Sequence, residues 1–371
     1  MAYIEKDLVM LTMNRVRLRD LGLSIGRYET GKYNAITDIP GVMVGHVTLS
    51  EQIAEDRAIR TGVTAILPHP DNLFREKVLG SCHVINGFGK TVGTIQLQEL
   101  GTIESPILLT NTLSVPAVLE GTIRYLLDQN LEIGDTTGTV NVIVGECNDG
   151  YLNDIRGLHV RPGHARQAIQ SAKSGVVEEG CVGAGTGMSC LGYKGGIGTS
   201  SRIAAFGQRQ YTIGALVLSN FGKKADLRLP GGGVLPVSSP DPDKEKTPDG
   251  SIMIILATDA PLSERQLGRI AKRAAFGLSR TGSYAAHGSG DIVIAFSTAH
   301  RIPHRPEPHQ DTLPYAFLRE DGEWMSRLFE MTAEAVEEAI WNSLCMASTT
   351  VGQKGRVREA IPYHILLAGR V

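Results

Sequence analysis

Residues 238–260 read SSPDPDKEKTPDG followed by SIMIILATDA, and the boundary between Gly250 and Ser251 dominates the interpretation of the chain. The first stretch is dense in proline and charge, which indicates an exposed loop. The second begins with serine and continues through six apolar residues, 252–257, as a core strand does. Glycine permits distorted backbone conformations, and here it precedes a serine at the start of a buried strand. A nucleophile that becomes N-terminal through self-cleavage would lie at such a position. The alternative is an ordinary loop-to-strand boundary.

The composition limits the classes of protein to which the chain can belong. The 371 residues are 42% apolar and contain 43 glycines, which suits one large core with many tight turns. The formal net charge is −2, and no basic run has the length of a nucleic-acid footprint. We therefore expect no nucleic-acid partner.

Cysteine usage and the N-terminal segment indicate a compartment. No CxxC pair occurs, so the cysteines are predicted to be reduced thiols in a reducing environment. They are Cys82, Cys147, Cys181, Cys190 and Cys345. The first 20 residues carry charges throughout, and no apolar stretch approaches a signal peptide or a membrane span. We expect a cytoplasmic location without membrane contact.

Short apolar segments alternate with glycine-rich turns over most of the chain. Predicted strands are 63–67, 81–85, 107–110, 140–145, 212–220, 252–257 and 291–298. Predicted helices are 113–129, 161–173, 263–278 and 326–346, the third opened by a capping box at Ser263 and Gln266. Helices fall between blocks of strands, which favours α+β layers in a single domain over 1–371, with 238–249 as an exposed loop.

Three segments resemble a phosphate loop, a metal site and a nucleophile elbow, but each lacks residues that such a site requires. The glycine-rich segment 183–202 offers a GxxxxG frame, but Tyr193 stands where a phosphate loop needs lysine. Its glycines instead predict close approach of the backbone to another strand or to a substrate. His300, His304 and His309 lie in a proline-rich loop without the spacing of a metal site, and no serine has a nucleophile elbow. We expect neither a metal nor a cofactor.

Polar residues gather at the ends of three predicted strands. Glu146 follows segment 140–145 and opens a run of acids and amides, Ser219-Asn220 closes segment 212–220, and 287–291 (HGSGD) opens segment 291–298. Such residues commonly cap turns. The functional alternative is a site along one sheet edge, in which the Glu146 carboxylate receives a substrate ammonium group.

Taken together, these segments resemble the DmpA-like family of L-aminopeptidase/D-esterase and β-aminopeptidase enzymes. The matching stretches keep one order through the chain. They are TDIPGVMVGH (37–46), NGFGK (86–90), LTNTLSV (109–115), GECNDGYLND (145–154), EGCVGAGTGM (179–188), KGGIGT (194–199) and the Gly250-Ser251 junction.

The resemblance implies a fold and a processing event. Family members form an αββα sandwich similar to N-terminal nucleophile hydrolases but with different strand connectivity. They cut themselves at the Gly-Ser junction and assemble as oligomers. For this chain it implies fragments 1–250 and 251–371 and a homo-oligomer, expected to be a tetramer of two-chain units.

The resemblance also implies roles for individual residues. Ser251 matches the nucleophile, and Asn220 the asparagine that helps to hold the oxyanion. Ser289 and Asp291 match the pair beside the nucleophile, although some members carry glutamate at the position of Asp291. Glu146 matches the acid that binds the substrate's free amine.

Two further positions are less defined by the resemblance. Asn148 stands where some members place a tyrosine, and Tyr151 is a substitute for that group. The shorter side chain of Asp291 raises the question of whether it reaches Ser289. We take Asn148 and Tyr151 as candidate substrate-binding residues.

These assignments predict a self-processing serine aminopeptidase acting on short peptides, amides or esters with a free amine. The α-amine of Ser251 freed by cleavage has a reference pKa of about 7.7–8.0 and could serve as general base. Two alternatives remain. One is an acyltransferase resembling the self-cleaving ornithine acetyltransferases, which use threonine at the cut; the other is an uncleaved protein that binds small amines.

Overall fold

The computed structural model describes residues 15–230, 233, 250–305 and 309–367, so the predicted loop 238–249 lies outside the described residues. The strands are β1 (Met43–Ala54), β2 (Arg57–Leu67), β3 (Glu76–Gly87), β4 (Thr102–Ile103), β5 (Ile107–Asn111), β6 (Ile143–Cys147), β7 (Ser189–Cys190), β8 (Tyr193–Lys194), β9 (Gly196–Phe206), β10 (Arg209–Asn220), β11 (Ser251–Thr258), β12 (Gly290–Pro303), β13 (Thr350–Val351) and β14 (Val357–Arg358). The α-helices are α1 (Thr94–Leu100), α2 (Val115–Gln129), α3 (Pro162–Gln170), α4 (Glu264–Arg280), α5 (Glu323–Cys345) and α6 (Tyr363–Leu367).

Two large sheets form the centre of the molecule. The six-stranded sheet has the order β4-β3-β12-β11-β10-β9, and the four-stranded sheet has the order β1-β2-β5-β6. Most neighbours are antiparallel, but β11 pairs with β12 and β5 pairs with β6 in parallel. Each parallel pair is joined through a helix, α4 in the first case and α2 in the second, as a parallel connection requires.

Alternation along β11 explains the layers. The even residues from Ile252 to Leu256 pack into a core with α4 and α5, while the odd residues from Met253 to Ala257 face the four-stranded sheet. A third core lies between the four-stranded sheet and helices α2 and α3. The order helix, sheet, sheet, helix confirms the predicted αββα sandwich.

The predicted strands and helices are present, although most of their bounds differ. The strand predicted over 140–145 is β6, Ile143–Cys147, so Glu146 lies inside the strand and not after it. Strands β1 and β9, the five two-residue strands and helices α1 and α6 were not predicted. In β9 the apolar alternation is replaced by glycine and hydroxyl residues because α5 packs closely, and a methyl group on Gly198 would collide with the Ala339 carbonyl oxygen.

All five cysteines are free, as predicted. In the described part of the chain, no helix combines the length and apolar character needed to cross a membrane.

A buried ion network fastens α5 to β9. Arg202 is fully buried, and its guanidinium donates to Glu334 Oε2 at 3.1 Å and Glu338 Oε2 at 2.7 Å. Arg19 Nε reaches the other Glu338 oxygen at 2.8 Å. Since two carboxylates surround one fully buried guanidinium, the network tolerates the loss of a member poorly.

We expect Arg202→Met to destabilise the protein by about 3–5 kcal/mol, because it leaves the buried Glu334 carboxylate without a cation and the Glu338 carboxylate with Arg19 alone. Urea unfolding measures the change in free energy. The control is Arg124→Met, which removes an exposed pair with Glu120 and should cost about 0.5 kcal/mol or less. Equal effects of the two substitutions would contradict a stabilising role for the buried network.

Candidate active site

Ser251 is the first residue of β11 and sits between two strands of the six-stranded sheet. In the register it lies opposite Asn220 of β10 on one side and Gly290 of β12 on the other. Its relative exposure is 7%. The buried apolar strand that follows therefore fixes the position of the serine.

The Gly290 backbone N–H is shared between two oxygens at the junction. It donates to the Gly250 carbonyl oxygen and to Ser251 Oγ, both at 3.2 Å. A donor so placed can stabilise negative charge on the Gly250 carbonyl oxygen when the serine attacks. Gly290 could not be identified from the sequence because a backbone donor has no side-chain signature, although the residue lies within the HGSGD segment.

Gly250 leaves room for a close approach of the backbone. The distorted conformation expected at this residue stays a prediction. A methyl group at this position would collide with the Asn220 carbonyl oxygen and with Phe221 Cα. The absence of a side chain thus lets the scissile carbonyl lie against the end of β10.

Ser289 and Asp291 form a hydrogen-bonded pair on the other side of Gly290. Ser289 Oγ donates to Asp291 Oδ1 at 2.6 Å, so the shorter side chain does reach its partner. Burial raises the pKa of Asp291 to about 6, against hydrogen bonds from the Ser289 hydroxyl and the Ile252 N–H that lower it. Asp291 Oδ2 is buried without a hydrogen-bond partner among the described residues, which leaves it free to accept a proton.

The Asn220 side chain is held at both ends. Its Oδ1 accepts from the Ser189 N–H at 2.8 Å, and its Nδ2 donates to the Asn148 carbonyl oxygen at 2.9 Å. An amide nitrogen has two hydrogens, so one donor remains for an oxyanion beside Ser251. Asn148 contributes through its main chain, while its exposed side chain accepts from the Gly150 N–H; a direct substrate contact of Asn148 stays a prediction.

Glu146 presents a buried carboxylate, 2% exposed, from the four-stranded sheet. Oε1 accepts from the Lys90 N–H at 2.8 Å, and Oε2 accepts from the Thr112 hydroxyl. Gly89 lies between this carboxylate and Gly290, the neighbour of Ser251 in the sheet, since a methyl group on it would be 3.6 Å from Glu146 Oε1 and 3.7 Å from Gly290 Cα. The two sheets therefore bring the predicted amine acceptor to the same edge as Ser251.

The rest of the polar segment after Glu146 forms a turn, as its alternative interpretation expected. The Asp149 carbonyl accepts from the Asn153 N–H at 2.9 Å. The Tyr151 ring lies under Arg358 at 3.7 Å and near Arg356 at 5.2 Å, and no described contact joins it to Ser251. A substrate-binding role for Tyr151 stays a prediction.

The prediction that His300 lies in a loop is wrong, because it lies within β12, and His304 directly follows that strand. Both histidines make structural contacts. His304 stacks on Phe74 at 4.3 Å, and His300 packs against Tyr315 and Phe317. Across the described ranges, no group of three or more His, Cys, Asp or Glu side chains could hold a metal ion.

The arrangement matches a known peptidase family over most of the chain. Residues 34–358 match the model of peptidase family S58. The chain belongs to that family. The β-peptidyl aminopeptidase BapA of Sphingosinicella microcystinivorans is 39% identical over 95% of this chain and 91% of its own length.

Solved structures agree with the sequence relationship. The PH0078 protein from Pyrococcus horikoshii OT3 has a TM-score of 0.86 and 51% identity, covering 95% of this chain and 98% of its own. The L-aminopeptidase D-Ala-esterase/amidase of Ochrobactrum anthropi, described as a prototype for the serine aminopeptidases and a variant of the Ntn hydrolase fold, has a TM-score of 0.85 and 36% identity with the same coverage. This S58 member is a serine-type aminopeptidase with that fold.

We expect Asn220→Asp to lower kcat by about 10²–10³, because the substitution removes the Nδ2 donor beside Ser251. Steady-state kinetics with alanine p-nitroanilide measures the effect. Asn141→Asp is the matched control, since it loses a similar amide-to-carbonyl bond, to the Gly93 oxygen at 2.8 Å, away from Ser251. A kcat within about twofold of the unmodified enzyme would exclude Asn220 as an oxyanion donor.

Proposed function

We propose that this chain is a precursor that cuts itself between Gly250 and Ser251 and then releases N-terminal residues from short peptides, amides and esters. The single domain 1–371 would become two chains, 1–250 and 251–371. The observation that carries the proposal is the Gly290 N–H shared by the scissile carbonyl oxygen and the serine hydroxyl.

Self-cleavage would begin with attack of Ser251 Oγ on the Gly250 carbonyl carbon. The Ser289 hydroxyl relays the Ser251 proton to Asp291, and the Gly290 N–H stabilises the oxyanion. The C–N bond then breaks and the Ser251 nitrogen takes up a proton, which leaves Gly250 as an ester on Ser251 Oγ. Water hydrolyses this ester, releasing the Gly250 carboxylate and a serine with a free α-amine.

Substrate hydrolysis would reuse the same groups with one addition. The new α-amine, with a reference pKa of about 7.7–8.0, acts as general base for Ser251. Asn220 and Gly290 donate to the oxyanion of the tetrahedral intermediate. Glu146 pairs with the substrate ammonium group, which limits cleavage to the N-terminal residue.

The names of the relatives indicate which class of substrate to expect. They are β-peptidyl aminopeptidases and an L-aminopeptidase D-Ala-esterase/amidase. We infer that small L-amino acids, D-alanine derivatives and β-amino acids are the released residues of this enzyme.

We also place the processed enzyme in the cytoplasm as a homo-oligomer, with a tetramer as the expected state. Five free cysteines support a reducing compartment. Exposed apolar side chains such as Ile95 (84%) and Leu131 (85%) support burial against further copies.

Denaturing electrophoresis of the purified protein should show two fragments, 1–250 and 251–371, and Ser251→Ala should leave one intact band because it lacks the attacking oxygen. Gly250→Ala should also slow cleavage, since its methyl group displaces the scissile carbonyl from Asn220. The control Gly138→Ala, where a methyl group meets nothing within 4 Å, should cleave normally.

An intact band for the unmodified protein, insensitive to Ser251→Ala, would reject self-processing and favour the uncleaved amine-binding protein. Fragments without hydrolysis of alanine p-nitroanilide or alanine amide would reject the peptidase and favour acyl transfer.

The rate of self-cleavage should rise with pH through about 6, because only ionised Asp291 can accept the relayed proton and its pKa lies near that value. Substrate hydrolysis should show a second rise near 8, where the Ser251 α-amine loses its proton. Precursor made by cell-free synthesis and shifted to buffers of pH 5 to 8 gives the first profile. An inflection near 6 that persists in Asp291→Asn would contradict the assignment.

A further inference from the structure

The Glu146 carboxylate accepts a hydrogen bond from the Thr112 hydroxyl, which has no role in the proposed reaction. We propose that Thr112 is a positioning residue for amine recognition: its hydroxyl fixes the Glu146 carboxylate in the orientation that receives the substrate ammonium group. This inference rests on the proposed role of Glu146.

The fold fixes Thr112 in turn. Strands β5 and β6 run in parallel with Thr110 opposite Glu146, so the residue that follows β5 reaches across to the neighbouring strand. Asn111 shapes that turn, since its Oδ1 accepts from the Ser114 N–H at 3.0 Å and its Nδ2 donates to Thr61 Oγ1 at 2.8 Å. The Thr112 hydroxyl therefore approaches Glu146 Oε2 from a rigid support.

The two donors hold the carboxylate without saturating it. Lys90 N–H takes one site on Oε1 and Thr112 takes one on Oε2, whereas an ionised carboxylate offers about four lone-pair sites. Gly89 adds no side chain over Oε1. A substrate ammonium, with three donors, can use the remaining sites only if the carboxylate keeps this orientation.

The positioning contact is separate from the self-cleavage machinery. Among the described residues, Thr112 makes no hydrogen bond to Ser251, Gly290 or Asp291. The Gly250-Ser251 bond that is cut in the precursor presents no ammonium group. Loss of the Thr112 hydroxyl should therefore impair substrate binding and leave processing intact.

The test is Thr112→Val, which exchanges the hydroxyl for a methyl group of similar volume. We expect normal two-chain processing, a KM for alanine p-nitroanilide raised by about tenfold or more, and kcat within about twofold. Thr112→Ser keeps the hydroxyl and should restore the KM. Thr91→Val is the matched control, because its hydroxyl contacts Met253 Sδ at 3.6 Å and does not touch Glu146.

A second substrate separates positioning from general damage. Propionyl p-nitroanilide has the alanyl carbon skeleton without the amine, so its hydrolysis should be equal in Thr112→Val and the unmodified enzyme. An equal loss for both substrates, or an unchanged KM for alanine p-nitroanilide, would overturn the positioning role.

Glu146→Gln distinguishes this failure from failure of the proposed function. If Glu146→Gln raises the KM and Thr112→Val does not, the positioning role alone is rejected. If neither substitution changes the KM, the amine role of Glu146 is rejected with it.

Discussion

The site depends on burying β11 on both of its faces. One set of alternate side chains faces the helices and the other faces the second sheet, so a shift by one residue would move every side chain into the opposite core and disrupt the packing on both faces. That constraint fixes Ser251 at the start of the strand, opposite Asn220 and Gly290. The packing of the strand thus places Ser251, the proposed nucleophile.

Burial also determines the electrostatics of the site. Asp291 is fully buried, and desolvation weakens its acidity enough for it to accept a proton near neutral pH. Glu146 is buried nearly as deeply, but each of its oxygens accepts a hydrogen bond, from the Lys90 N–H and from the Thr112 hydroxyl. The two carboxylates of the site thus differ in their surroundings, which supports the different roles proposed for them.

Apolar runs in the sequence predict most of the strands and helices, whereas the αββα layers and the candidate site side chains are predicted by the resemblance to the DmpA-like family. Gly290 and Lys90 could not be predicted, since they act through backbone N–H groups, which every residue type except proline carries. Thr112 lay in a matched segment, but its contact with Glu146 depends on the pairing of β5 with β6. Strand β9 was missed because helix packing demanded small residues in place of apolar alternation.

The bond from Asn220 Nδ2 to the Asn148 carbonyl joins the two sheets, because Asn220 ends a strand of the larger sheet and Asn148 follows a strand of the smaller one. Glu146 reaches the same edge from the smaller sheet. With the roles proposed for Asn220 and Glu146, a half-assembled chain would hold its serine without a set oxyanion donor or an amine acceptor. Hydrolytic competence would then appear only when the sandwich closes, and the fold itself would prevent premature proteolysis during synthesis.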